Sequence, residues 1–150
     1  MVPVRPAVEG DIPRILELYR QLSLDPGDYQ PASIDDCRHV LRRMEKHPGY
    51  YMLVAEEDGN VVGTTVMAII PGFAHLTSPF AVIEYVVVDE KKRGNGIGKW
   101  LMEHCKKLAR EANCYKIMLT SDKRREGAHK FYLSLGYTPS AEGFRYFFRK

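Results

Sequence analysis

The 150-residue sequence predicts an α/β fold, an α+β mixed sheet with helices in the order β-α-α-β-β-β-α-β-α-β. Three observations carry this expectation. Residues 50–56 and 61–70 are apolar runs joined by Asp58-Gly59-Asn60, and an Asp-Gly step between two such runs signals a hairpin of antiparallel strands. The β-branched run Val86-Val87-Val88 leads through Asp89-Glu90, a basic turn and glycines at 94, 96 and 98 into a helical pattern, which is a strand, a loop and a helix. A further apolar run at 115–120 follows that helix, and a right-handed crossover makes it parallel to the strand before.

The remaining elements follow in order. Residues 2–7 alternate but contain Pro3 and Pro6, so they suit only an edge or first strand, where a missing ladder donor does no harm. Ile12, Ile15, Leu16, Leu18, Tyr19 and Leu22 form a helical stripe behind Glu9-Gly10-Asp11, with Pro13 in the first turn, predicting a helix over 11–22. A Pro- and Gly-containing loop covers 23–32. Ser33-Ile34-Asp35-Asp36 resembles a capping box, and Ile34, Cys37, Val40, Leu41 and Met44 continue at helical spacing until His47-Pro48-Gly49. Residues 71–79 form an irregular loop after the hairpin. Ile97, Trp100, Leu101, Cys105, Leu108 and Ala109 line one face of the helix after the glycines. Ala128, Phe131, Tyr132 and Leu135 line a short one closed by Gly136, and 144–149 read as a last strand.

Three glycines at alternate positions before a helix let backbone approach a ligand closely, and the unpaired N–H groups of the helix's first turn attract phosphate. Spacing excludes two nucleotide loops. A Walker loop needs Ser or Thr after Gly-Lys and a Gly five residues before it, whereas Gly98-Lys99 precedes Trp100 and position 93 is Arg. A dinucleotide fingerprint needs G-x-G-x-x-G near the start of a βαβ unit, and this loop is G-x-G-x-G past the middle of the chain. Arg93-x-x-Gly96-x-Gly98 after a Val-rich strand bearing Glu84 instead resembles the pyrophosphate loop of the GNAT superfamily of acetyl-CoA-dependent N-acetyltransferases. Asn113-Cys114-Tyr115-Lys116-Ile117 and Phe131-Tyr132-Leu133-Ser134-Leu135-Gly136-Tyr137 match two further family segments, in the family's order. The Val run, the Arg-Gly-Asn-Gly-Ile-Gly loop and the Asn-Cys-Tyr-Lys-Ile segment together look somewhat like the glucosamine-6-phosphate N-acetyltransferase branch.

The resemblance implies a single N-acetyltransferase domain over 1–150 with acetyl-CoA as cosubstrate and no metal. It implies that backbone at Val86, Val87 and Val88 pairs with the pantetheine arm, and that Arg93, Gly94, Asn95, Gly96, Ile97, Gly98 and Lys99 hold the pyrophosphate. Lys91, Lys92, Lys123, Arg124 and Arg125 are candidates for the adenosine 3′-phosphate, with a solvated charged face as the plainer reading. Tyr132, the Tyr of the F-Y pair, is the expected general acid, since a phenol with a pKa of about 10 is matched to an alkyl thiolate leaving group. Glu84 is the candidate base, and desolvation in an apolar strand would raise its pKa toward a useful range. His75 and His129 are lesser titratable candidates, more simply read as surface or packing residues.

A net charge of +3, with basic and acidic residues interleaved, suits an anionic ligand and lacks the concentrated basic patch of a nucleic-acid binder. Three cysteines without C-x-x-C or Cys/His spacing argue against a disulfide framework and a zinc site. Cys37 and Cys105 sit in apolar helical registers, as small core residues do. With no signal-peptide pattern and no apolar run of transmembrane length, the expected setting is cytoplasmic, away from membranes. Direct transfer to an amine in a ternary complex is expected, with a small polar amine as acceptor. The alternatives are a protein or peptide acceptor, and a non-catalytic CoA-binding sensor or interaction module. Family habit adds a homodimer through the last strands.

Overall fold

The computed structural model describes every residue except Pro26 and Asp28, which lie in the loop predicted over 23–32, and Lys150. Contacts divide the chain into two compact units, Met1–Met118 and Leu119–Lys150. The first contains a five-stranded sheet in the order β1-β2-β3-β4-β5: β1 (Val4–Pro6), β2 (Tyr50–Glu57), β3 (Asn60–Ile70), β4 (Phe80–Val88) and β5 (Ile117–Met118). All neighbours are antiparallel except β4 and β5, whose parallel pairing is the one predicted for the crossover. The hairpin turn has Asp58 and Gly59 both left-handed, at φ 51° and 75°, as a two-residue turn that follows the strand twist requires.

The uninterrupted Val run has a packing cause. Val54, Val61 and Val87 join Ile15 and Leu18 in one core cluster. Their sequence neighbours Ala55 and Val62 join Ile97 and Leu101 in another, against which Val88 packs. Consecutive strand residues point to opposite faces, so α1 (Ile12–Leu22) covers one face of the sheet and α4 (Ile97–Glu111) the other. Each fully buried aliphatic side chain here, Leu18 or Leu101 for example, contributes about 2 kcal/mol. Gly63 on β3 sets how closely α4 seats, because a Cβ there would lie 3.0 Å from Leu101 Cδ1, 3.2 Å from Ile97 Cγ2 and 3.3 Å from the Val87 carbonyl oxygen.

Helix ends follow their predicted signals. Ser33 caps α2 (Ile34–Glu45) by accepting from the Asp36 N–H at 3.1 Å. Asp11, just before α1, accepts from the Val8 N–H at 2.9 Å and from both terminal nitrogens of Arg5, which also bonds Glu56. This carboxylate therefore ties the start of α1 to β1 and β2. Within the loop predicted over 71–79 there is a single turn, α3 (Ala74–Thr77), whose His75 and Leu76 take left-handed backbone angles.

Two expectations are corrected. The strand predicted at 115–120 is reduced to Ile117–Met118, because β4 offers it only Ala81 and Val82 before its own course changes at a bulge. The last strand predicted at 144–149 does not form: Phe144, Tyr146 and Phe148 alternate but are 90%, 84% and 95% exposed. An alternating run becomes a strand only when a neighbour supplies ladder bonds, and this segment has none among the described residues. In the second unit, α5 (Glu126–Ser134) ends as predicted, with Gly136 left-handed at φ 88°.

Candidate active site

The glycine loop is held from beneath by Asp89. Its backbone N–H donates to the Val62 carbonyl at 2.9 Å, continuing the ladder past the end of β4. Its buried carboxylate accepts from the Lys91 N–H at 3.1 Å and from the Arg14 guanidinium, whose Nε also reaches the Val61 carbonyl at 3.0 Å. The Lys91 N–H and Arg14 hold the Asp89 carboxyl below its ordinary range against the opposing effect of burial. The Gln21 side chain accepts from the Glu90 N–H at 2.8 Å, and Lys92 pairs with Glu57. Strand end, α1 and the hairpin thus all converge on the loop entry.

Beyond that anchor the loop is open. Arg93, Gly94, Asn95, Gly96 and Lys99 are exposed, and the Asn95 amide donates to the Lys92 carbonyl at 3.0 Å, bending the chain back. Gly96 caps α4 at φ 81°, a conformation that L side chains adopt only with strain. The first helical bond runs from the Trp100 N–H to the Gly96 carbonyl, so the N–H groups of Ile97, Gly98 and Lys99 have no acceptor within the helix. Ile97 is buried in the core and fixes their direction. Unpaired N–H groups at a helix start can receive an anion, and β4 leads directly into them here.

The strand itself has a second opening. Thr64 pairs with Val87 and Val66 with Glu84, so Thr65 alone faces two residues, Tyr85 and Val86, and Tyr85 is left-handed at φ 55°. Ladder directions follow from two bonds. The Ala81 N–H donates to the Lys116 carbonyl at 3.0 Å, so Ala81 and Ile83 face β5 and Glu84 faces β3. The Asp89 bond to Val62 puts Asp89 and Val87 toward β3 as well. Tyr85 and Val86 are left facing away from β3 together, on the side where β5 pairs only with Ala81 and Val82. Their amides open onto an edge with no ladder partner among the described residues. An extended ligand can add there as a strand, with two adjacent N–H donors for one carbonyl.

The predicted site residues divide between the two units. Glu84, Val86, Val87, Val88 and the residues from Arg93 to Lys99 lie together along β4 and its loop in the first unit. Tyr132 lies in the second, half-buried on α5, its ring 5.3 Å from Phe131 and 6.0 Å from Tyr137 between centroids. Glu84 is exposed, so the apolar strand does not itself supply the desolvation expected for a raised pKa. His75 stacks on Tyr115 at 3.9 Å, and His129 Nε2 lies 2.9 Å from the Asp122 carbonyl, which gives both packing roles. Arg124 is engaged with Asp122. Cys105 is fully buried and its thiol pushed up to about 12 by burial, the state of a small core residue and not of a nucleophile. Asp89, Arg14 and the bulge were not among the predicted site residues. The acid at the strand end was a visible signal for Asp89, whereas nothing in the sequence marked Arg14 as its partner.

Comparison with known proteins agrees with this geometry. The Acetyltransferase (GNAT) family profile matches residues 14–137, a span that includes the strand, the loop and α5. The chain belongs to the GNAT acetyltransferase family. The GNAT chain is 30% identical over 131 residues to a glucosamine 6-phosphate N-acetyltransferase of Trypanosoma brucei brucei, covering 86% of this chain and 84% of that protein. A solved structure of a transcriptional regulator from Bacillus halodurans C-125 superimposes with a TM-score of 0.90 at 28% identity, over 99% of this chain and 100% of that one. The glucosamine-6-phosphate N-acetyltransferase structure from Arabidopsis thaliana has a TM-score of 0.85 at 21% identity, covering 99% of each chain, and speaks for the fold alone. Among the described residues, no helix of this GNAT protein is long and apolar enough to cross a membrane. Nor do any three His, Cys, Asp or Glu side chains form a group able to hold a metal ion.

Proposed function

We propose that this protein transfers the acetyl group of acetyl-CoA directly to the primary amine of a small polar acceptor, an amino sugar being the first choice. The observation that carries the reading is the continuity of the open β4 edge, with the two bulge amides, into the unpaired N–H groups at the start of α4. The pantetheine arm adds along Val86, Val87 and Val88, and the pyrophosphate rests on Arg93, Gly94, Asn95, Gly96, Ile97, Gly98 and Lys99. Family membership and the amino-sugar acetyltransferase named among the relatives support the donor and the acceptor class.

In the proposed reaction Glu84 takes a proton from the ammonium acceptor, directly or through water, and the freed lone pair attacks the thioester carbon. The oxyanion forms against the amides of the bulge. As it collapses the C–S bond breaks and Tyr132 gives its phenolic proton to the departing thiolate, while the nitrogen's surplus proton passes through water to the tyrosinate, leaving the amide, CoA-SH and one proton on Glu84. Acceptor and donor, binding beside the exposed Glu84, would supply the desolvation that the strand does not. The two units act as one domain in this scheme, supported by a family match that runs through both. A homodimer in the cytoplasm completes the proposal, and its three free cysteines fit a reducing compartment.

Calorimetry with acetyl-CoA and CoA tests the donor, using Gly96→Glu as control. Binding by wild type and its loss in the variant support the loop, and no binding by wild type at millimolar ligand would sink the reading. Turnover with glucosamine 6-phosphate, simple amines and peptides then sorts the acceptor class, and exclusive use of peptides would overturn the small-amine assignment.

A further inference from the structure

Thr64 and Thr65 are consecutive, fully buried, and the only polar residues of β3 after Asn60 at its start. A buried hydroxyl is destabilising unless it is hydrogen-bonded, so each needs a partner. Thr64 donates to the Leu53 carbonyl at 2.7 Å and ties β3 to β2. Thr65 donates in the other direction, to the Glu84 carbonyl at 3.1 Å, from the one β3 position that faces the bulge.

That bond acts on one peptide unit. The Glu84 carbonyl and the Tyr85 N–H belong to the same planar trans peptide and point in opposite directions. Holding the carbonyl toward β3 therefore aims the Tyr85 N–H at the open edge of β4. The need for a hold is evident, because a left-handed non-glycine residue is strained and persists only where its surroundings determine it. The Tyr85 ring is steadied separately, 5.5 Å from Tyr19 on α1. Thr65 is the side chain that fixes the peptide plane.

We propose that Thr65 is a positioning residue for acyl transfer, its hydroxyl orienting the Glu84–Tyr85 peptide so that the Tyr85 N–H meets the oxyanion of the acetyl group. This rests on the acetyl-CoA reading above. Thr65 touches neither donor nor acceptor, and its effect belongs to the transition state, where the donor's alignment matters most.

The test compares Thr65→Val, which keeps the shape and removes the donor, with Thr65→Ser, which keeps the donor and loses a methyl group. Thr65→Val should lower kcat about tenfold or more while the KM for acetyl-CoA stays within about twofold, since only an interaction stronger in the transition state is lost. Thr65→Ser should recover most of that rate. If Thr65→Val does not fold, Thr65→Ala against Thr65→Ser gives the same comparison at matched size, with the same split expected. Wild-type kcat in Thr65→Val, or equal losses in the Ser and Ala variants, would overturn the positioning role while leaving the acyl-transfer reading intact. A wild type that acetylates no amine from acetyl-CoA would refute that reading and this inference with it.

Discussion

Asp89 has three tasks: its backbone N–H extends the ladder, and its carboxylate caps the turn into the loop and receives Arg14 from α1. Removing it as Asp89→Ala deletes the cap and leaves Arg14 without its buried acceptor. The expected loss is about 1–2 kcal/mol of stability, read from the denaturant midpoint, together with weaker acetyl-CoA binding because the loop loses its floor. Unchanged affinity in a destabilised Asp89→Ala protein would mean that the glycines alone shape the loop. Tyr132 calls for the opposite pattern. Tyr132→Phe keeps the ring among Phe131 and Tyr137 and removes the hydroxyl with its proton, so kcat should fall about a hundredfold or more with CoA affinity retained. A variant with full turnover would take the acid's role from this residue.

At the scale of elements, the approach of α4 to β3 decides where the start of α4 stands. The first turn of α4 supplies its N–H donors, and Ile97 and Leu101 in that turn and the next touch the place where a Gly63 side chain would be. Gly63→Val inserts bulk against two side chains and the Val87 carbonyl. The cost should be about 1–3 kcal/mol in stability, as for overpacked cores, and the helix start should lift away from the end of β4. Weaker acetyl-CoA binding, measured on the folded variant below its melting temperature, is the expected result. Equal affinity at reduced stability would show that the loop adjusts independently of the helix. The bulge also explains why β5 is short: β4 changes course at Tyr85, so β5 follows it only before the bulge and leaves the edge beyond open.

At the scale of the molecule, the parts legible in the sequence were those with local causes. The Val run reflects burial on both faces, Gly94 and Gly96 supply the left-handed turns that lead into α4, and Asp58-Gly59 fixes a hairpin by its turn alone. Arg14 meets Asp89 across 75 positions and Thr65 meets Glu84 across strands, and no periodicity records such pairs. The run at 144–149 was over-read because alternation does not name a partner strand. Two ion pairs of the fold, Arg5–Asp11 and Arg14–Asp89, also bear on acid behaviour. Asp11 is held below the ordinary carboxylate range chiefly by its hydrogen bonds to Arg5, and Asp89 by the Lys91 N–H and Arg14. Both groups bind protons more weakly folded than unfolded. Their stabilisation is therefore complete above the unfolded value of about 3.9, declines as pH falls below it, and disappears beneath their depressed folded values. Thermal melts should be nearly flat in this respect from pH 7 to about 5 and fall steeply below about 4. Asp11→Asn should melt lower at pH 7, by about 2 kcal/mol in stability, and show a shallower acid limb than wild type. An acid limb of wild-type slope in that variant would mean that other carboxylates control the loss of the fold.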